Sequence, residues 1–130
     1  MNNILLNELS KNGVFCISII FNSSSRYNGS EWCVVKDDQG NRLYQELVKS
    51  MNYRVEEVHS TIWQNGKGLR RDTCYSVNID FPLLKHKNEV KMIINQLLKL
   101  TRRYGCAQIV INNQYTIDPL DRPNILEYQH

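Results

Sequence analysis

Lys67, Arg70 and Arg71 lie within five residues of one another and are flanked by Trp63 and Tyr75. Cations beside aromatic rings at a hairpin tip can grip a phosphate backbone and stack an unpaired base. They also serve a plainer end, because charges near strand ends discourage edge pairing. A second basic stretch sets Lys85, Lys87, Lys91, Lys99, Arg102 and Arg103 against one acid, Glu89. On a helix, this stretch offers a face for an acidic protein or a nucleic-acid backbone. A solvated face whose lysine stems cover the apolar stripe explains the same pattern. Arg26, Tyr27 and Trp32 stand in a polar stretch and are of types enriched at binding hot spots. Trp32 buried as an anchor for that stretch is the structural alternative.

His59-Ser60-Thr61 is an H-x-T triplet, and on a strand its His and Thr share one face and could address a phosphate. The local pattern resembles half of a two-histidine phosphoesterase, which needs a second such triplet to supply the partner acid or base. None exists here: His86 is followed by Lys87-Asn88, and His130 ends the chain. The acids group no better. Asp37 and Asp38 suit a helix cap, and Asp72 and Asp80 lie roughly 27 Å apart along an extended strand. Cys16, Cys33, Cys74 and Cys106 form no Cys-x-x-Cys pair, so they read as reduced thiols acting as small hydrophobes. Neither a metal nor another cofactor is expected, and no catalytic constellation emerges.

The chain of 130 residues suits one domain, with a core over 14–112 and an extension over 113–130. A net charge of +3 is far from the polybasic excess that argues for nucleic acid unaided. No apolar run is long enough to span a bilayer, and Met1–Leu6 lacks a basic leader region. A cytoplasmic protein is expected. Asn, Ile, Lys and Tyr are abundant and Ala107 is the only alanine. That bias resembles translation from an AT-rich genome, such as that of a phage or mobile element. The helices must accordingly draw their stability from packing rather than propensity.

The elements follow from the hydrophobic periods. Residues 3–11 predict a short helix closed by Gly13. A strand over 14–21 sets Phe15, Ile17, Ile19 and Phe21 on one apolar face. Residues 22–31 read as a polar loop, with a short extra strand over 32–35. A helix follows with Leu43, Leu47, Val48 and Met51 on one face. Strands at 53–63 and 70–81 are joined by a hairpin through Asn65-Gly66. In the second of them, Thr73, Tyr75, Val77, Ile79 and Phe81 form the core face. A helix over 86–104 is closed by Gly105, and a last strand runs from Ala107 to Ile111. A further short element is expected at 125–128.

That order is the βαββαβ signature of a ferredoxin-like sandwich: four antiparallel strands, two helices on one face, plus an N-terminal helix and a C-terminal extension. The polar face of the strand at 70–81 lacks the aromatics of a base-stacking platform. The expectation is a small non-enzymatic binding or regulatory protein that occupies a surface of a protein or nucleoprotein partner. An inhibitor of a host nucleic-acid-targeting defence system is one example. The contact residues would be Arg26, Tyr27, Trp63, Lys67, Arg70, Arg71, Lys87 and Lys91. Direct RNA or DNA binding through the basic hairpin and helix is the first alternative, and a phosphodiesterase centred on His59 and Thr61 the second. A homodimer through a sheet edge or the uncovered sheet face is compatible with each.

Overall fold

The computed structural model describes residues 2–50, 53–105 and 107–119. Its elements run α1 (Asn2–Asn12), β1 (Val14–Tyr27), β2 (Trp32–Val34), α2 (Gln39–Ser50), β3 (Arg54–Gln64), β4 (Gly68–Leu84), α3 (Lys87–Tyr104), β5 (Ala107–Ile111) and β6 (Tyr115–Ile117). The fold is α+β, with three helices and one antiparallel sheet in the order β3-β4-β1-β5-β6; β2 pairs with the far end of β1. The sheet has six strands where the ferredoxin-like frame has four: β2 falls at the short extra strand expected over 32–35, and β6 is formed by the start of the C-terminal extension. The element expected at 125–128, Met51 and Cys106 lie outside the described residues.

One core forms where the apolar stripes of the helices meet one face of the sheet. Leu6 and Leu9 of α1, Leu43 and Leu47 of α2, and Val90, Ile94, Leu97 and Leu98 of α3 join Ile17, Ile19, Phe21, Val77, Ile79, Ile109 and Ile111. These strand residues are odd-numbered, so by the period of two they share one face. Tyr75 belongs to this layer, stacked between Phe21 at 5.2 Å and Tyr44 at 4.8 Å. Val48, predicted on the buried stripe of α2, is instead exposed.

Phe15 departs from its predicted core position and is 47% exposed. The register slips between Val14 and Cys16: Val14 pairs with Leu84 but Cys16 with Asp80. Three residues of β4 therefore face one of β1, and the bulged stretch contains Pro82, which cannot donate to a ladder. Alternation fails there, so Val14 is buried and Phe15 turns outward. Asn112 ties the irregular end together. Its Oδ1 accepts from the Phe15 and Cys16 amides at 3.0 and 3.3 Å, and its Nδ2 donates to the Gly13 carbonyl at 2.7 Å.

The predicted polar loop at 22–31 is mostly strand. β1 continues to Tyr27 because β4 supplies partners as far as Arg26↔Arg70. On the other edge of β1, β5 stops at Phe21↔Ala107 and β2 starts at Ser25↔Val34. The gap is closed by the approach to α2. The Val35 amide donates to the Ser24 carbonyl at 3.0 Å, and the Ser24 amide donates to Asp38 Oδ2 at 2.8 Å. The other Asp38 oxygen accepts from the Asn41 amide at 2.7 Å, so Asp38 is the N-cap of α2. Asp37 takes the left-handed conformation (φ 62°) and pairs with Arg42 at 2.8 Å.

Candidate functional site

α2 starts against Asn22 and Ser23, so beyond Ser24 the strands run on past the helices as a sheet wing. The wing holds 24–27 of β1, β2, 58–64 of β3 and 68–73 of β4, in the lateral order β3-β4-β1-β2. The Asn65-Gly66-Lys67 turn closes its tip, with the Lys67 amide donating to the Gln64 carbonyl at 3.0 Å. Nine large apolar side chains are exposed among the described residues, and Tyr27, Val34, Val58, Ile62 and Trp63 of these belong to the wing.

The odd-numbered face, continuous with the helix-covered side, carries Tyr27, Trp32, His59, Thr61, Trp63 and Arg71. The Arg71 guanidinium lies over the half-buried Trp32 ring at 4.6 Å, and Tyr27 tilts against that ring at 5.5 Å. This cation–π contact both holds β2 on the wing and desolvates the arginine. Trp63 is 66% exposed on the same face.

The even-numbered face is ordered in rows across three strands. Ile62, Arg70 and Arg26 form one, Ser60, Asp72 and Ser24 the next, and Val58, Cys74 and Asn22 the third. Arg70 Nε donates to Asp72 Oδ1 at 2.8 Å, and the Ser24 hydroxyl donates to the same oxygen at 2.7 Å. These bonds, Ser24 first and Arg70 second, hold the Asp72 carboxyl below its ordinary range. An open groove of about 310 Å³ runs over this face, lined by Asn22, Ser24, Val58, Ser60, Arg70, Asp72 and Cys74. Arg26 stands directly opposite Arg70, a like-charge pair in which Arg70 is offset by Asp72. Arg26 Nη1 and Arg71 Nε are shielded from solvent with no hydrogen-bond partner among the described residues.

The structure thus brings Arg26, Tyr27, Trp63, Lys67, Arg70 and Arg71 onto one wing, although they come from two separate stretches of chain. Lys87 and Lys91 stand elsewhere. α3 starts beyond Leu84, which pairs with Val14, while Arg70 pairs with Arg26 at the other end of the same ladder. Those two ends are roughly 40 Å apart by the rise of an extended strand. His59 bonds to neither member of its own triplet. Its Nδ1 lies 2.8 Å from Thr73 Oγ1 and its Nε2 3.5 Å from Glu57. Thr61 instead faces Arg71 across the ladder. Among the described residues, no three His, Cys, Asp or Glu side chains are grouped to hold a metal ion. No helix among them is long and apolar enough to cross a membrane.

The partnership of Ser24 and Asp72 with Arg70 was not anticipated from sequence. Arg70-x-Asp72 has the spacing that puts both on one strand face, but Ser24 fell in the stretch read as loop. The chain matches no family model, no curated protein and no solved structure.

Proposed function

We propose that the protein is a small non-enzymatic binding protein that acts by laying the β1–β2 side of its wing on a protein partner. The observation that carries this reading is the clustering of Tyr27, Trp32 and Arg71 on one face of the wing, with Arg26 on the opposite face of the same strand end. Tyrosine, tryptophan and arginine dominate hot spots in protein interfaces.

Charge favours a protein over nucleic acid. Asp72 lies among Arg26, Arg70 and Arg71 on the wing and already pairs with Arg70. A phosphate backbone calls for an uninterrupted cationic stripe. The strands β1, β3, β4 and β5, in the order β3-β4-β1-β5 with their connecting helices, suit a ferredoxin-like frame extended by β2 and β6. The free thiols of Cys16, Cys33 and Cys74 suit action in the cytoplasm, where thiols stay reduced.

The test is affinity capture from the native host with and without nuclease. It compares the wild type, Arg26→Ala with Tyr27→Ala, and Lys87→Ala with Lys91→Ala. A nuclease-resistant protein held by the wild type and the lysine variant, but reduced at least tenfold by the wing variant, is the expected result. Loss on nuclease treatment would instead bring forward direct nucleic-acid binding. Equal capture by all three proteins would move the site off the wing.

A further inference from the structure

We propose that the protein forms a homodimer by antiparallel pairing of β3 with β3 of a second copy, in the register that sets Val58 opposite Val58. β3 is the outermost strand of the sheet and runs for 11 residues, Arg54–Gln64. Almost all of it is exposed, with Val58 at 69%, and large apolar side chains stand on both of its faces. Edge strands are normally blunted by proline, lysine, bulges or a covering element, since their unpaired N–H and C=O groups template pairing. β3 contains no proline and no lysine, and its ladder with β4 is continuous from Arg54↔Asn78 to Gln64↔Gly68. By contrast, the register slip of β1 and β4 interrupts the sheet far from this edge.

The sequence of β3 is self-complementary in this register, which points to a second copy rather than a foreign strand. On the even-numbered face, Arg54 meets Ile62, Glu56 meets Ser60 and Val58 meets Val58. On the odd-numbered face, Glu57 meets His59, Val55 meets Thr61, and Trp63 meets Tyr53, which packs half-buried against the core. No like charges oppose each other, and the acidic half of each strand lies on the neutral or basic half of its neighbour. Directly opposed cross-strand pairs of this kind are the unit of sheet stabilisation. Moving one step towards the N-terminus, on either parity-preserving side, would set Glu57 against Glu57. One step the other way would set His59 against His59. The dimer leaves Arg26, Tyr27 and Trp32 uncovered on the other side of the wing, so it stands independently of the function proposed above.

Size-exclusion chromatography with light scattering at tens of micromolar tests the proposal. The wild type is expected at twice the 15.3 kDa chain mass. Val58→Lys, an exposed position, is expected at the single-chain mass with unchanged circular dichroism, because it sets lysines face to face. The register is read from a charge swap. His59→Glu and Glu57→Lys should each weaken self-association at least fivefold, and the double variant should return to within twofold of wild type. A monomeric wild type overturns the proposal, as does a dimer that Val58→Lys leaves intact. Failure of the double variant to recover association overturns the register.

Discussion

Gly40 is the position where the start of α2 rests directly on β1, and replacing it with alanine tests how the wing is anchored. A Cβ built there would lie 1.7 Å from the Asn22 carbonyl oxygen, 2.6 Å from its carbon and 3.2 Å from the Ser23 Cα. All three are backbone atoms, so no side chain can rotate away. The helix must move by at least 1.3 Å to bring the shortest of these separations to 3.0 Å, below which real Cβ atoms do not pack. In an isolated helix, Gly→Ala gains about 0.5–1 kcal/mol. Overpacking against fixed backbone costs about 1–3 kcal/mol or more. A moved α2 also loses the Asp38–Ser24 bond that fills the gap between β5 and β2, worth about 1 kcal/mol. Gly40→Ala should therefore destabilise by about 1–3 kcal/mol, the opposite sign from its helix propensity. Urea unfolding by circular dichroism reads the change as a lower midpoint at unchanged slope. Hydrogen exchange locates it, through faster exchange of the Ser24 amide. A Gly40→Ala protein as stable as wild type, or one with undiminished Ser24 protection, would refute the clamp.

Two further substitutions probe the ends of the same ladder. Asn112→Ala removes three side-chain hydrogen bonds to Gly13, Phe15 and Cys16 and puts alanine at φ 54°. It should cost about 2–3 kcal/mol in the urea assay, and Asn112→Gly should recover about 1 kcal/mol by relieving the backbone alone. Asp72→Asn tests the carboxylate on the wing. Its folded pKa is depressed, so its contribution is present above the unfolded value of about 4 and is lost as pH falls through the lower folded value. The variant should be less stable than wild type at neutral pH. The difference should close in acid, as read from urea midpoints across pH 2–7; a constant difference across that range would count against the Ser24–Asp72–Arg70 arrangement.

What could be read from the chain itself was whatever depends on local period. Thr73, Val77 and Ile79 alternate towards the core because strand geometry enforces a period of two, and Val90, Ile94, Leu97 and Leu98 line α3 at helical spacing. Phe15 obeyed the same period in sequence, yet faces outward, because the bulge beside Pro82 is a property of the pairing and not of β1. The stretch from Asn22 to Tyr27 has no apolar period at all. Its strand conformation is imposed by β4 on one side and by β2 and Asp38 on the other, and the pairing with β4 reaches as far as Asn22↔Cys74, which no local window contains. The wing inherits this character. Arg26 and Arg70, or Trp32 and Arg71, become neighbours only once that non-local ladder has formed, so the candidate residues were recognisable by type but their grouping was not. The consequence is physical. With no helix over it among the described residues, the wing gains little from core burial, so its order depends on cross-strand pairs such as Arg71 on Trp32. Two tryptophans, a tyrosine and three arginines thus stand beyond the reach of the core, and they form the surface on which the proposed partner would pack.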